Sequence, residues 1–345
     1  MKVLVVNNMA PFVRGGAEAL ADNLGENLIA AGHEAEVLRI PFQWEPATRV
    51  VSQMLMVRAL ELRNVDRVIA LKFPAYLIRH ADKTVWLLHQ YRQAYDLHDA
   101  GQSNLPAREE GEELRRVIRS GDDESFRESR RIFANSDVTR DRLASHSGFS
   151  AEVLRPPLND PGLFTGGASK GYVFAGGRIN AMKRQHLILE ALALAPRTVR
   201  IVVGGPPDTP DDAARLRRLV ETLGLEDRVK LDLRFMSRGE VADYVNEATA
   251  VACLPYDEDS FSYVAMEAAA AGKAIISTRD SGGVLGLVRH LETGWVADPE
   301  PASLAEGLER VAADTALTRE LGQEARRLWM AMGITWPRTV ERLLA

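Results

Sequence analysis

Short apolar runs separated by longer helical patterns, in an order that repeats in both halves, constrain this chain more than any other feature. In the first half the runs are "VLVV" (3–6), "AEVLRI" (35–40), "RVIAL" (67–71), "TVWLL" (84–88), "RIFA" (131–134) and "EVLR" (152–155). In the second they are "YVFA" (172–175), "VRIVV" (199–203), "RVKLD" (228–232), "TAVACL" (249–254) and "AIIST" (274–278). Helical patterns lie between them, as at 17–31, 183–195, 211–223 and 238–247. Continuous apolar strands alternating with helices imply parallel sheets covered on both faces. The Pro-, Gly- and Asn-rich segment "PPLNDPGLFTGGASKG" (156–171) separates the halves and is the natural domain boundary. The reading is α/β: two doubly wound Rossmann-like domains, 1–160 and 161–333, facing each other across a cleft. In such sheets ligands sit beyond the carboxyl ends of the strands.

Length agrees, since 345 residues suit two domains and 46% apolar content supplies both cores. A net charge of −5 gives no support for a nucleic-acid partner. The single cysteine, Cys253, falls in an apolar run and reads as a core residue, so a reducing, cytoplasmic setting is the expectation. "MKVLVVNNMAP" reads as a first strand, not a signal peptide, and no run approaches the ~20 apolar residues of a membrane span. Residues 108–142 hold nine Arg against ten Asp and Glu and read as a solvated helical surface. A basic face there, making a peripheral contact at the inner face of a membrane, stays open.

The stretch "DEDSFSYVAMEAAAAGKAIIST" (257–278) bears most directly on chemistry. Tyr263 to Ala271 reads as an alanine-rich helix ending at Gly272. Glu267 shares a face with Tyr263 and Ala271, and a carboxylate on a packing face is costly unless something binds it. Glycine pairs follow several strands: Gly15-Gly16, Gly176-Gly177, Gly204-Gly205 and Gly282-Gly283. One such pair is only turn chemistry, but four at the strand ends of one cleft suit a ligand that approaches the backbone. G-x-G-x-x-G and P-loop patterns are absent. Arg178 and Lys183, in the loop and first helical turn after "YVFA", suit a diphosphate. His89 ends "TVWLL" and points to the mouth of the same cleft. "DED" invites a divalent metal, but the calcium-loop pattern is missing and the two cations can replace a metal, so no metal and no cofactor are expected. Eight helical residues rise ~12 Å, too far for two carboxyls flanking one glycosidic bond, which disfavours a glycosidase.

Taken in order and spacing, "GGAEAL" (15–20), "AAGHEAEV" (30–37), "FANSDVTRDRL" (133–143), "RPPLNDPGLF" (155–164), "GRINAMKRQHLILEAL" (177–192), "DSFSYVAMEAAAAGKAIIST" (259–278) and "DSGGVLGLVRHLETGWV" (280–296) resemble the family 4 glycosyltransferases, retaining enzymes of the GT-B fold. The resemblance implies an E-x7-E motif whose second acid is Glu267, on the ribose hydroxyls of a sugar nucleotide. Its first acid is Asp259, or the neighbouring Glu258, near the donor sugar. It implies Arg178 and Lys183 on the diphosphate, His89 near donor sugar and acceptor, and Gly15 and Gly16 against phosphates or sugar from the other domain. Gly177, Gly205, Ser262, Tyr263 and Val264 would complete the donor site. Asp259 stands where the family has Glu, Ser262 where it has Gly, and Gly286 where it often has an acid.

The function so implied is transfer of a hexose from a UDP- or GDP-linked donor, with retention and without metal. The acceptor would be a glycan, lipid-linked saccharide or small-molecule hydroxyl, as in cell-surface polysaccharide synthesis. Arg178, Lys183 and the helix start near Ser262 would stabilise the departing diphosphate, which takes the acceptor proton. Two alternatives stand beside it: a non-catalytic nucleotide-sugar-binding relative, and a sugar-nucleotide epimerase or phosphorylase on the same fold. The segment "GITWPRTVERLLA" (333–345), with Trp336, Val340, Leu343 and Leu344 at helical spacing, is expected to cross back onto the first domain.

Overall fold

A computed structural model describes residues 1–13 and 15–345. The chain forms two compact units, Met1–Pro157 with Thr335–Ala345, and Leu158–Ile334. The division falls at Pro157/Leu158 rather than at 160/161, because Leu158 and Phe164 are buried in the second unit's core.

In the first unit the elements run β1 (Lys2–Met9), α1 (Gly16–Ala30), β2 (Glu34–Pro41), α2 (Val50–Arg58), β3 (Arg67–Ala70), β4 (Lys83–Leu87), α3 (Asp96–Asp99), α4 (Glu109–Arg127), β5 (Arg131–Ala134), α5 (Asp137–Ser147) and β6 (Glu152–Val153). The six strands form a parallel sheet in the order β2-β1-β3-β4-β5-β6. Alternate side chains enter two cores: Val3, Val5, Ile69 and Trp86 with α1 on one face, and Val6, Val68, Ala70 and Val85 with α2 and α4 on the other.

The helix α4 is only partly the solvated surface expected for 108–142. Leu114, Ile118, Asp122 and Phe126, spaced by four, are buried. Burial pushes Asp122 up to about 7, and the Tyr95 hydroxyl donates to its Oδ2 at 2.8 Å. Lys83, fully buried on β4, donates to Ser125 Oγ of α4 (2.9 Å) and to the carbonyls of Tyr76 and Ile78. Three of the helix's arginines are engaged within the unit: Arg115 with Asp99, Arg119 with the His146 carbonyl and Arg127 with Asp123. No helix among the described residues is long and apolar enough to cross a membrane.

The second unit runs β7 (Val173–Gly176), α6 (Gln185–Leu194), β8 (Ile201–Gly204), α7 (Pro210–Thr222), β9 (Val229–Asp232), α8 (Arg238–Glu247), β10 (Ala250–Ala252), α9 (Tyr263–Ala270), β11 (Ala274–Thr278), β12 (Gly294–Ala297), α10 (Pro301–Ala313) and α11 (Thr315–Ala331). Its parallel order is β12-β11-β10-β7-β8-β9. The first strand, β7, lies between β8 and β10, so the winding direction reverses at the β7/β10 boundary. Val173, Ala175, Ile201 and Ile276 face α6 and α10, whereas Phe174, Val202, Val251 and Ile275 face α8, α9 and α11. The edge strand β12 has no counterpart in the sequence reading.

The last helix, α12 (Trp336–Leu344), belongs to the first unit. Trp336, Val340 and Leu343 are buried with α1, and Trp336 meets Trp86 edge-on at 6.5 Å. The indole Nε1 of Trp336 is buried without a protein acceptor. Trp336→Ala is therefore expected to cost about 3–5 kcal/mol. Trp336→Phe, which keeps a ring and removes the orphan donor, costs markedly less. Urea unfolding followed by near-ultraviolet circular dichroism checks both, and a loss in Trp336→Phe as large as that in Trp336→Ala would overturn the expectation.

Candidate functional site

The carboxyl ends of β7 and β10 converge on a small cavity of about 40 Å³ whose lining includes Gly176, Gly177, Lys183, Cys253, Ser262 and Val264. The backbone builds this end of the sheet before any side chain acts. Gly177 has φ +105° and lies against Val264 of α9. Gly205 has φ +145°, and a Cβ there would come within 1.9 Å of the Gly177 carbonyl oxygen, so that glycine serves backbone packing. The pair Gly282-Gly283 serves the same purpose. A Cβ on Gly282 would come within 2.4 Å of the Glu258 carbonyl oxygen, and Gly283 N–H donates to that oxygen at 2.8 Å. These two glycines hold the acidic loop in place.

Lys183 precedes α6 and is not in its first turn. Arg184, at φ +53°, separates them, and the helix starts at Gln185. Arg184 was not expected to matter, yet it is buried and gathers the ends of β10 and β11. It donates to the carbonyls of Leu254 (2.8 Å) and Pro255 (2.9 Å), to Thr278 Oγ1 (2.8 Å) and to both Asp280 carboxylate oxygens (2.8 Å). Burial opposes ionisation of Asp280, but the hydrogen bonds from Arg184 outweigh it and hold that carboxyl below its ordinary value.

The expected cations are both paired with acids. Lys183 Nζ meets Glu258 Oε2, and Arg178 Nη1 lies 3.3 Å from Asp208 Oδ1. Glu258 also accepts from Ser260 Oγ at 2.9 Å. Asp259 is buried beside it. Ser262 is the N-cap residue of α9, and Cys253 Sγ lies 3.3 Å from its Oγ. Burial pushes the Cys253 thiol up to about 11, so it is no nucleophile at neutral pH.

Glu267, in the second turn of α9, is only 3% exposed. Arg238, the first residue of α8, donates to Glu267 Oε1 at 2.6 Å and makes a bidentate pair with Asp160 at 2.8 and 2.9 Å. The Arg238 guanidinium also lies over the Phe164 ring, 5.2 Å from its centroid. Burial raises Glu267 above its ordinary value, and the charge of Arg238 opposes that rise. Burial alone would lower Arg238, but its bonds to Asp160 and the charge of Glu267 outweigh it and raise it. Tyr263, one turn before Glu267, has a buried hydroxyl with no protein partner. The sequence did carry a signal for Arg238: it sits at N1 of a helix whose capping box is Ser237 and Glu240, where a positive charge opposes the macrodipole.

In the first unit, Gly15 precedes α1 in an extended conformation and its N–H donates to Glu18 Oε2 at 2.9 Å. Gly16 opens the helix, and Glu18 Oε1 lies 3.2 Å from Lys72 Nζ beyond β3. These groups lie at the β1/β3 boundary, where this sheet reverses. His89 is half-buried past the end of β4, its Nδ1 at 2.7 Å from the Gln90 carbonyl oxygen. No cluster of three or more metal-ligating side chains occurs among the described residues.

Removing Arg238 would leave the Glu267 carboxylate buried beside Asp160. Arg238→Met is expected to cost about 1–3 kcal/mol at pH 8, below the range for a sealed pair because Arg238 is half-exposed. With the opposing charge gone, Glu267 titrates higher still in the folded state. A raised carboxyl gives up stability as pH rises, so the penalty should shrink between pH 8 and pH 5. Adding Glu267→Gln should restore most of the loss. Urea midpoints at the two pH values measure this, and a penalty that grows toward acid would refute the pairing.

Residues 168–328 match the family Glycosyl transferases group 1. The D-inositol 3-phosphate glycosyltransferase of Actinosynnema mirum is 34% identical over 257 residues, which make up 67% of this chain and 59% of that protein. The protein of the same name from Salinispora arenicola is 28% identical over 296 residues, 76% of this chain and 64% of its own. The chain thus spans about three-fifths of the length of these curated relatives. Among solved structures, sucrose-phosphate synthase from Thermosynechococcus elongatus superposes with a TM-score of 0.77 at 18% identity, covering 99% of this chain and 97% of that one. Anabaena HepE in complex with UDP-glucose superposes with a TM-score of 0.74 at 19% identity, covering 100% and 98%. At those identities the likeness shows the fold, which is GT-B. Over residues 168–328, in its second unit, this chain belongs to the group 1 glycosyl transferases.

Proposed function

We propose that the protein transfers a hexose from a UDP- or GDP-linked donor to an acceptor hydroxyl, with retention and without metal. The observation that carries the reading is the meeting of Gly177, Lys183, Ser262 and Val264 around one cavity at the β7/β10 reversal. A diphosphate there would take Lys183 from Glu258 and Arg178 from Asp208, exchanging one set of ion pairs for another. The α9 N-terminus adds its positive end. The released Glu258, or Asp259 beside it, is then available to the donor sugar, and Glu267 to the ribose hydroxyls. Arg238 fixes the Glu267 carboxyl group by donating to its Oε1, and its charge opposes the rise that burial imposes. His89 and the Gly15-Gly16 turn belong to the acceptor-side unit in this reading.

In this reading no side chain is spent as a nucleophile: burial pushes the one thiol, Cys253, up to about 11, and the acids serve to bind the donor. Retention then follows from attack on the face the diphosphate leaves, with a phosphate oxygen taking the acceptor proton. Arg178 and Lys183 stabilise the charge that grows on that phosphate. HepE binds UDP-glucose, which makes UDP-glucose the first donor to assay. The curated relatives are named for D-inositol 3-phosphate, so a hydroxyl of a small phosphorylated cyclitol is the first acceptor.

Glu267→Gln should weaken donor binding in calorimetry by about tenfold, the loss of one charged hydrogen bond. Arg178→Ala and Lys183→Ala should each lower kcat more than they raise KM, because the charge they meet develops in the transition state. EDTA should leave turnover unchanged. Loss of activity in EDTA that Mn²⁺ or Mg²⁺ restores would defeat the metal-free scheme. A folded protein that binds donors but neither transfers nor hydrolyses them would establish a non-catalytic binder instead.

A further inference from the structure

The opposite end of the second unit's sheet carries a different set of charges. The residues immediately before four adjacent strands, Lys273 (β11), Thr249 (β10), Tyr172 (β7) and Arg200 (β8), line one open cavity of about 660 Å³. Arg319, in the second turn of α11, lines it too, and the 17-residue helix α11 begins at its wall with Thr315. That volume suits a small metabolite. No Asp or Glu is among the lining residues. The neighbouring acids are occupied elsewhere: Glu247 pairs with Lys170 at 2.6 Å, while Asp314 accepts from Leu317 N–H and lies 3.5 Å from Arg310.

None of the three lining cations is ion-paired among the described residues. Lys273 is the telling one. It is 8% exposed, and its Nζ donates to the Gly167 carbonyl at 2.9 Å with no acid partner. Burial alone lowers its pKa. A buried ammonium without a counter-charge is costly. The carboxyl end of this sheet shows the contrast, for there Arg178, Lys183, Arg184 and Arg238 each have a carboxylate. The rest of the wall offers hydroxyls: Ser169 and Thr249, 2.6 Å apart, and Thr315.

We propose that this cavity binds a small sugar phosphate, its phosphate held by Arg200, Lys273 and Arg319 and its hydroxyls by the Ser169–Thr249 side. The site is separate from the donor site, which lies at the other ends of the same strands. A phosphate supplies the counter-charge that Lys273 lacks, and the planar guanidinium groups match its oxygens. The positive end of α11 adds to the attraction.

Isothermal titration calorimetry on the full chain tests this with glucose 6-phosphate, inorganic phosphate and glucose. Glucose 6-phosphate should bind one to one, phosphate more weakly, and glucose not at all at millimolar concentration. Both arginines are exposed, so Arg200→Gln/Arg319→Gln should fold normally, which circular dichroism checks. That variant should lose about tenfold or more in affinity for glucose 6-phosphate. Arg178→Gln/Lys183→Gln, altered at the other end of the sheet, should keep wild-type affinity. The proposal is overturned if neither phosphate binds, if Arg200→Gln/Arg319→Gln binds as tightly as wild type, or if Arg178→Gln/Lys183→Gln loses as much affinity.

Discussion

The ion pair between Glu267 and Arg238 is the interaction on which the candidate site rests. Half of helix α9 is alanine, which lets it pack closely against β10, β11 and α11. Gly322 of α11 meets the backbone of Gly272 so tightly that a Cβ would come within 2.2 Å of its carbonyl oxygen. A helix seated that deeply has little room for a charge. Glu267 is tolerated because Arg238 reaches it from α8, and Arg238 is fixed in turn by Asp160 and the Phe164 ring. The linker residues Asp160 and Phe164 thereby help to aim a carboxylate in α9, about a hundred positions downstream in the chain. Such an arrangement preorganises an acceptor of hydrogen bonds at the cost of burying charge.

Much of the fold was legible because buried parallel strands are written as unbroken apolar runs. "VLVV", "TVWLL", "VRIVV" and "AIIST" each overlap a strand. The strand β12 was not legible. It begins with glycine, lies at the sheet edge and leaves Trp295 and Val296 half-buried, so "GWVA" carries neither alternation nor a long run. The start of α6 was misplaced by two residues because nothing in "KRQ" reveals that Arg184 adopts a left-handed conformation. The face of α4 was misjudged because Asp122, an acid among acids, is buried in the core beside Tyr95. A charge pattern cannot tell which of its members faces inward.

The candidate site was legible residue by residue but not pair by pair. Glu267, Lys183 and Arg178 stood out by position, whereas their partners Arg238, Glu258 and Asp208 lie 29, 75 and 30 residues away along the chain. Long-range pairing is a property of topology, which local spacing does not encode. The glycine pairs teach the same lesson. Glycine was expected where a ligand approaches; Gly176 and Gly177 border the cavity, while Gly205, Gly282 and Gly283 are also required by neighbouring backbone.

The two ends of the second sheet therefore present charge in different states. At the carboxyl ends every cation is already matched: Lys183 with Glu258, Arg178 with Asp208, Arg184 with Asp280 and Arg238 with Glu267 and Asp160. A phosphate arriving there must displace a carboxylate, so the net gain is the difference between two strong interactions. That difference is small for binding but can be large for reaction, because a phosphate gains charge as the bond to sugar breaks and a carboxylate does not. Arg184 is the exception that proves instructive. Its hydrogen bonds to the strand ends and to both Asp280 oxygens fix the frame within which Lys183, one residue before it, remains able to change partners.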